Sequence, residues 1–238
     1  MKEIKQVKVI LGRFQPFTLG HFKIATYTDL KGPDKEQSDA LREQPNLEEI
    51  AKLPTVILSI LTPPEKVDSR HPFTSELMEE EYNIIKKTKE IEDIIFVKSA
   101  DICAWGEMLK EKGYQAAVWI TGSDEFPRYK PMAIKVPQYE ETSQRNFKDA
   151  CTKSFYCENV ERTDDGEFTS TISATKVRES LKNDDKEAFK KMMPKGTDIL
   201  FDKFKEALAA APAAPEKKPK KVKEGMKSLK DFINEKLN

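Results

Sequence analysis

Short apolar runs alternate with segments of helical character along most of this 238-residue chain. Four of the runs are almost entirely apolar and a fifth is weaker. Such runs are typical of strands that are buried on both faces, as in a parallel sheet covered by helices. The alternation therefore predicts an α/β fold in which helices lie on both faces of a parallel sheet. The predicted strands are 6–12, 55–61, 94–97, 116–122 and 154–160.

Helical periodicity fills the intervals and predicts a Rossmann-like domain over residues 1–210 that ends in a helical part. Residues 31–54 are polar and acidic, which indicates an insertion, and residues 126–166 are mostly without a clear pattern. The predicted helices are 19–30, 74–89, 104–112, 176–181, 186–193 and 197–210.

Charge is spread unevenly although the formal net charge is zero. Residues 212–238 hold eight lysines and four acidic residues, so this segment is at +4 and the remainder is at −4. Phosphate backbones bind to cationic surfaces, so a negative body argues against duplex nucleic acid as the main ligand.

Cysteine and histidine usage argues against a protein-built metal site. The three cysteines form no Cys-x-x-Cys pair, which disfavours a disulfide framework or a zinc site. Two histidines are too few for a histidine-rich metal centre. No leader pattern and no apolar run of ~18 residues occurs, so we expect no membrane span and a cytoplasmic protein, in a host cytoplasm or a virion if phage-encoded.

The turn after the first predicted strand concentrates residues that suit a phosphate group. Parallel sheets bind ligands at the carboxyl ends of their strands, where this turn lies. Gly12 allows a sharp turn and close approach of the backbone. Gly20 and His21 begin a helix, whose N–H groups attract anions, and Arg13 can clamp phosphate with two parallel bonds. A capped turn with an incidental histidine is the alternative for any single residue here.

A second anion-binding pattern occurs at residues 171–178. Ser173 or Thr175 can cap the helix that begins there, and this leaves backbone N–H groups for an anion. Arg178 follows one turn later and can reach the same anion. Taken alone, the pattern also fits an ordinary capped helix.

The two patterns together resemble the nucleotidyltransferase superfamily. Residues 12–21 match the signature Gly-Arg-Phe-Gln-Pro-Phe-(His/Thr)-x-Gly-His, and residues 172–178 are similar to its Ile-Ser-x-Thr-x-x-Arg motif. The Arg-Phe-Gln-Pro form is most similar to archaeal-type nicotinamide-nucleotide adenylyltransferases and their phage relatives. Thr18 departs from that branch, which has a first histidine there, and it cannot carry positive charge.

This resemblance implies nucleotidyl transfer from ATP, with Mg²⁺, to nicotinamide mononucleotide, which gives NAD and pyrophosphate. A cytidylyltransferase, or an enzyme of the same fold with another phosphorylated acceptor, is one alternative. A virion- or scaffold-associated protein that retains a nucleotide site is another. The resemblance assigns catalysis to Arg13, Thr18, His21 and Arg178, and nucleotide binding to Gly12, Phe14, Gly20, Ser173 and Thr175.

Weaker matches occur in the middle of the chain. Residues 70–74 are similar to the family's Asn-Pro-Phe-Thr segment. Gly122 and Asp124 resemble its Gly-x-Asp turn, which implies a contact from Asp124 to a ribose or base, although a turn aspartate is the alternative. Trp105 follows a stretch similar to the one that supplies an aromatic for the pyridine ring, and its alternative is a place in the core.

The last residues have a different composition. Residues 211–225 are rich in alanine, proline and lysine and predict a flexible linker. Residues 226–238 predict an amphipathic helix that docks on a protein partner or packs on its own domain. This helix is also similar to short peptides that target proteins into capsids of tailed bacteriophages. Its predicted apolar face consists of Met226, Leu229, Phe232, Ile233 and Leu237.

Overall fold

A five-stranded, entirely parallel sheet lies at the centre of the structure, a computed structural model that describes residues 5–41, 43–97, 102–142, 156–161 and 172–214. The strand order is β3-β2-β1-β4-β5. This arrangement confirms the predicted α/β fold. The strands are β1 Lys5–Gly12, β2 Thr55–Ile60, β3 Ile91–Val97, β4 Tyr114–Gly122 and β5 Cys157–Val160.

Helices cover both faces of the sheet because successive strand residues point to opposite sides. Val9 and Leu58 belong to a core cluster with helix residues Trp105 and Leu109, whereas Ile57 belongs to the larger cluster on the other face. The helices are α1 Leu19–Ala25, α2 Lys35–Ala40, α3 Leu47–Ala51, α4 Ser75–Ile85, α5 Ile102–Glu111, α6 Phe126–Thr142, α7 Ala174–Lys182, α8 Lys186–Met192 and α9 Phe201–Ala210.

Helix α1 is shorter than the prediction of 19–30. Its last residue is Ala25, and the hydroxyl of Thr26 donates to the carbonyl of Phe22 at 3.0 Å. A threonine side chain that bonds to the preceding turn competes with the helical backbone. The chain from Thr26 onward is therefore free to turn toward the 31–54 segment.

Helix α6 lies where residues 126–166 gave no clear pattern. Prolines at 127, 131 and 137 disfavour a helix in this region. Tertiary contacts stabilise it nonetheless: Ala133 is buried in the core, and the Lys130 ammonium lies 2.9 Å from Asp34 and 2.8 Å from Glu36. Helix α6 therefore contacts the 31–54 segment, although its own sequence does not predict a helix.

The 31–54 segment packs against the sheet. Helix α2 places Gln37 beside β5, where its amide donates to the Cys157 carbonyl at 3.3 Å and accepts from the Cys157 N–H at 2.8 Å. The buried Glu158 carboxylate accepts from the backbone N–H groups of Lys31 and Gly32 at 2.9 and 3.1 Å. The first part of this segment, from Lys31 to Gln37, is therefore held by β5.

The residues after α9 return to the domain. The Ser69 N–H donates to the carbonyl of Pro212 at 2.8 Å, and the Ala214 N–H donates to the Ser69 hydroxyl at 3.0 Å. The predicted linker at 211–225 thus begins with residues that contact the domain. The predicted helix at 226–238 lies outside the described residues. Within the described ranges, no helix is long and apolar enough to cross a membrane.

Candidate active site

The carboxyl ends of β1 and β4 lie side by side at the point where the strand order reverses. From β1 the chain continues to β2 and β3 on one side, whereas β4 and β5 lie on the other. Such switch points open a crevice in which α/β proteins bind ligands. The loop after Gly12 and the turn after Gly122 therefore meet at the same edge.

Thr18 and His21 form a reciprocal cap at the start of α1. The Thr18 N–H donates to Nδ1 of His21 at 3.0 Å, and the His21 N–H donates to the Thr18 hydroxyl at 3.4 Å. Because Nδ1 accepts a hydrogen bond, the proton of a neutral imidazole lies on Nε2. The cap thus fixes His21 with Nε2 as its donor, while Thr18, only 1% exposed, supports the ring.

Two aromatic rings pack against the His21 side chain. The centroid of the Phe14 ring lies 4.9 Å from that of His21, and the Phe17 centroid lies 5.5 Å away. A Cβ atom at position 12 would come within 2.5 Å of the Phe14 ring, so this packing requires Gly12. The structure therefore places the buried Phe14 as a support of His21.

Gln15 connects this loop to the segment before α4. Its amide donates to the Phe73 carbonyl at 3.1 Å, and its oxygen accepts from the Phe73 N–H at 2.9 Å. The side chain is buried, so both bonds are protected from water. Gln15 could not be singled out from the sequence, because only the fold shows that its partner is 58 residues away.

Helix α7 brings the second motif to the first. Ser173 caps the helix by accepting from the Lys176 N–H at 3.2 Å. The Arg178 guanidinium donates to the backbone carbonyl of Gln15 at 2.7 Å and to the Thr175 hydroxyl at 3.2 Å. Residues 163 positions apart in the chain are thereby joined at the mouth of the β1 loop.

Gly20 allows the two motifs to approach each other closely. A Cβ atom at this position would lie 3.2 Å from the carbonyl oxygen of Ile172. Few real Cβ contacts are this short, so a side chain here would push the α7 segment away from α1. The glycine therefore has a packing reason in addition to the predicted nucleotide contact.

A tight turn at residues 68–71 brings an arginine and a histidine to the same region. Arg70 donates through its backbone and its guanidinium to the Asp68 carboxylate. Although partial burial acts in the opposite direction, these bonds and one from the His71 N–H lower the pKa of Asp68 to about 2. This segment was predicted only by resemblance, and neither Arg70 nor His71 was predicted to have a role.

The remaining predicted residues lie around this centre. Asp124 is exposed in the turn after β4, where the following Glu125 N–H donates to the carbonyl of Gly122 at 3.0 Å. Trp105 is 2% exposed and packs on Trp119 with ring centroids 5.7 Å apart. This position favours the core alternative for Trp105, whereas Asp124 is accessible to a ligand.

Glu81 on α4 lies buried beneath the β1 loop. Its Oε2 accepts from the Phe17 N–H at 3.1 Å, and Oε1 has no hydrogen-bond partner among the described residues. Burial raises the pKa of this carboxyl well above its ordinary value, although the bond from Phe17 acts in the opposite direction. An acid in an amphipathic helix is normally solvated, so no sequence pattern singles out Glu81.

Glu81→Gln is expected to change how stability depends on pH. Because the pKa of Glu81 is higher in the folded than in the unfolded state, the protonated carboxyl stabilises the fold. This contribution is fully present below the pKa of the unfolded chain, about 4.5, and is lost as pH rises. Glutamine keeps an acceptor for Phe17 without titrating. The free energy of unfolding of wild type should therefore fall relative to the variant as pH rises above about 4.5 in urea titrations.

Two further variants complete this measurement. Glu81→Ala leaves the buried Phe17 N–H without its acceptor, which should cost ~1–3 kcal/mol. Glu80→Gln changes the exposed neighbour and should follow the pH profile of wild type apart from its ion pair with Lys203. If the profiles of wild type and Glu81→Gln run parallel, the assigned titration of Glu81 is wrong.

Comparison with known proteins gives matches among solved structures only. No family model matches the chain, and no curated protein sequence matches it. Plasmodium falciparum nicotinic acid mononucleotide adenylyltransferase complexed with APC matches at 14% identity and a TM-score of 0.48, over 85% of this chain and 97% of that one. Thermotoga maritima TmcAL bound with alpha-thio ATP matches at 12% identity and a TM-score of 0.42, over 86% of this chain and 55% of that one.

A bifunctional enzyme from Francisella tularensis gives a third structural match. This NMN adenylyltransferase/ADP ribose pyrophosphatase, complexed with AMP and a manganese ion, is 16% identical with a TM-score of 0.41. The match covers 86% of this chain and 52% of that one. Structural neighbours of the chain thus include proteins described as adenylyltransferases.

Proposed function

We propose that this protein transfers the adenylyl group of ATP to the phosphate of nicotinamide mononucleotide. The observation that carries the proposal is the contact between Arg178 and Gln15, which joins the two anion-binding motifs at one end of the sheet. His21 adds an oriented donor at the same place. The crevice therefore combines cationic and neutral donors that suit a triphosphate.

The reaction needs no nucleophilic side chain. An oxygen of the acceptor phosphate forms a bond to the α-phosphorus of ATP, and the bond from that phosphorus to the bridging oxygen breaks, so pyrophosphate leaves with the electron pair. Positioning and charge neutralisation then supply the catalysis. His21 and Arg13 contact the α-phosphate and the bridging oxygen, and Thr18 holds the His21 ring.

The second motif holds the leaving group. Ser173 and Thr175 lie at the first turn of α7, whose N–H groups face an anion. Arg178 follows and supplies a full positive charge. These groups bind the β- and γ-phosphates, which become pyrophosphate.

Mg²⁺ fits this site as a partner of the phosphates. No group of three or more His, Cys, Asp or Glu side chains is placed to hold a metal ion in the parts of the chain that the structure describes. Mg²⁺ keeps several waters and binds substrate phosphates with few protein ligands. When bound, it neutralises charge on the phosphate oxygens, and the residues that hold the triphosphate hold the ion with it.

An assay of pyrophosphate release tests the proposal. ATP and CTP are each incubated with Mg²⁺ and one acceptor, either nicotinamide mononucleotide or a phosphorylated alcohol, and the product is identified by mass. We expect release only with ATP and nicotinamide mononucleotide, with NAD as product. Release with CTP and the alcohol would favour a cytidylyltransferase instead. Binding of ATP without release from any acceptor would favour the virion- or scaffold-associated alternative.

The tail supports a second, separate part of the proposal. We propose that 211–225 is a flexible tether and that 226–238 docks the enzyme on a larger protein assembly, such as a bacteriophage capsid. A helix of about a dozen residues is marginal alone in water, so its apolar face needs a partner. Pro212 and Ala214 contact Ser69, so the first residues of the tether are held at the 68–71 turn.

Deletion of residues 215–238 is expected to leave kcat and KM for ATP within about twofold of wild type, because the contacts to Ser69 remain. The same deletion should abolish co-sedimentation with assembled capsids. A longer deletion of residues 212–238 also removes the bonds to Ser69, so a comparison of the two deletions shows what those bonds contribute. Loss of activity or unfolding after the shorter deletion would show that the tail belongs to the domain.

A further inference from the structure

His71 lies in a turn whose shape is fixed by a single carboxylate. Oδ1 of Asp68 accepts from the N–H groups of Arg70 and His71 at 2.8 and 2.9 Å. Oδ2 accepts from the Arg70 guanidinium at 3.0 Å. The His71 ring is about one-third exposed, and its Nδ1 is 3.6 Å from Oδ1 of Asp68. The turn thus presents a partly exposed imidazole from a rigid base.

The turn is tied to the two anion-binding motifs through Gln15. Phe73, two residues after His71, exchanges two hydrogen bonds with the Gln15 side chain. The backbone carbonyl of Gln15 accepts from Arg178. One buried residue therefore connects the β1 loop, the α7 motif and the segment that carries His71.

The groups that face His71 are mostly cationic. Burial, followed by the charges of Arg13, Arg70 and Arg178, lowers the pKa of the imidazole, and Asp68 acts in the opposite direction. Asp68 is itself engaged by Arg70. The charged groups that act on the ring are therefore three guanidinium groups and one carboxylate, and protonation of the ring is disfavoured while no anion is bound.

We infer that His71 is an additional contact for the bound polyphosphate and that its imidazole takes up a proton when the anion binds. The inference rests on the proposed function, because it assumes that phosphates occupy this crevice. A polyphosphate neutralises the charges of Arg13 and Arg178, and Arg70 is already paired with Asp68, so the obstacle to a charged imidazole is reduced. His71⁺ then adds a further positive charge that forms only when the ligand is present.

NMR measurement of the two histidines tests this inference with tripolyphosphate as the probe. The chain contains only His21 and His71, so the His71→Gln variant assigns both Cε1–H resonances. We expect the His71 resonance of the full-length protein to titrate at higher pH in the presence of saturating tripolyphosphate than in its absence. A titration midpoint unchanged by bound ligand overturns the inference.

The affinity for tripolyphosphate provides an independent reading. The affinity for tripolyphosphate should fall several-fold as pH rises from about 6 to about 8, because binding includes proton uptake by His71 and this uptake is less favourable at higher pH. His71→Gln experiences the same ionisation of the ligand and serves as the matched control, with a smaller pH dependence expected. Equal pH dependence in both proteins overturns the inference.

The outcomes separate this inference from the proposed function. A ligand-induced shift at His71, without pyrophosphate release from any acceptor, supports the contact and contradicts adenylyl transfer. Perturbation of His21 alone, together with pyrophosphate release, supports adenylyl transfer and overturns the role of His71. If neither resonance responds to tripolyphosphate, no phosphate binds in the crevice and both are wrong.

Discussion

Replacing His21 by alanine is expected to lower turnover ~100-fold or more while the domain stays folded. A donor that stabilises developing charge on phosphate oxygens typically contributes ~2.7–4 kcal/mol to lowering the barrier. The structure gives His21 a second role, because its Nδ1 accepts from the Thr18 N–H. Alanine removes this half of the reciprocal cap as well, which should cost ~0.5–2 kcal/mol of stability. Turnover is measured by pyrophosphate release at saturating substrates and stability by thermal unfolding.

His21→Asn separates the two roles. The asparagine carbonyl can replace Nδ1 as acceptor for the Thr18 N–H, but no donor reaches the position of Nε2. We therefore expect the asparagine variant to lose turnover like the alanine variant while keeping the stability of wild type. If either variant turns over at nearly the rate of wild type, His21 does not contact the reacting phosphate.

Arg178→Ala is expected to raise KM for ATP about 10- to 100-fold, with a smaller effect on kcat. A hydrogen bond to a charged group contributes ~1.5–3 kcal/mol, which corresponds to this range. The variant also breaks the bonds to Gln15 and Thr175 that hold α7 against the β1 loop. KM and kcat for ATP, measured at a fixed acceptor concentration, give the result.

Arg178→Lys is the matched control for charge. Lysine keeps the positive charge but loses the planar fork that contacts two partners at once. We expect an intermediate KM from this variant if both the charge and the fork contribute. A KM for ATP that is unchanged in the alanine variant contradicts the role of Arg178 at the triphosphate.

The sheet could be predicted from sequence because its strands are nearly all apolar, and a parallel sheet covered by helices requires this pattern. Helix ends were less predictable: α4 ends at Ile85 instead of residue 89, and β3 begins at Ile91 instead of residue 94. Helix α6 was missed because its prolines argue against a helix, whereas the contacts of Lys130 and Ala133 that accompany it exist only in the folded chain.

Some residues of the candidate site could be predicted from sequence and others could not. Local patterns were sufficient to single out His21 and Arg178, because each lies in a string of residues with a recognisable spacing. Gln15, Glu81 and His71 depend on neighbours that are far apart in sequence, such as Phe17 above Glu81. No local pattern predicts that an acidic residue on a helix becomes buried below a loop.

The amide of Gln37 affects how the molecule can associate with other chains. The outer side of β5 at Cys157 would otherwise present an N–H and a carbonyl to solvent, and unpaired edges of this kind template the addition of foreign strands. Gln37 engages both groups in the manner of a strand residue without adding a strand. Edge-to-edge aggregation and capture of extended peptides are therefore blocked at this position, and a Gln37→Ala protein should be more prone to both.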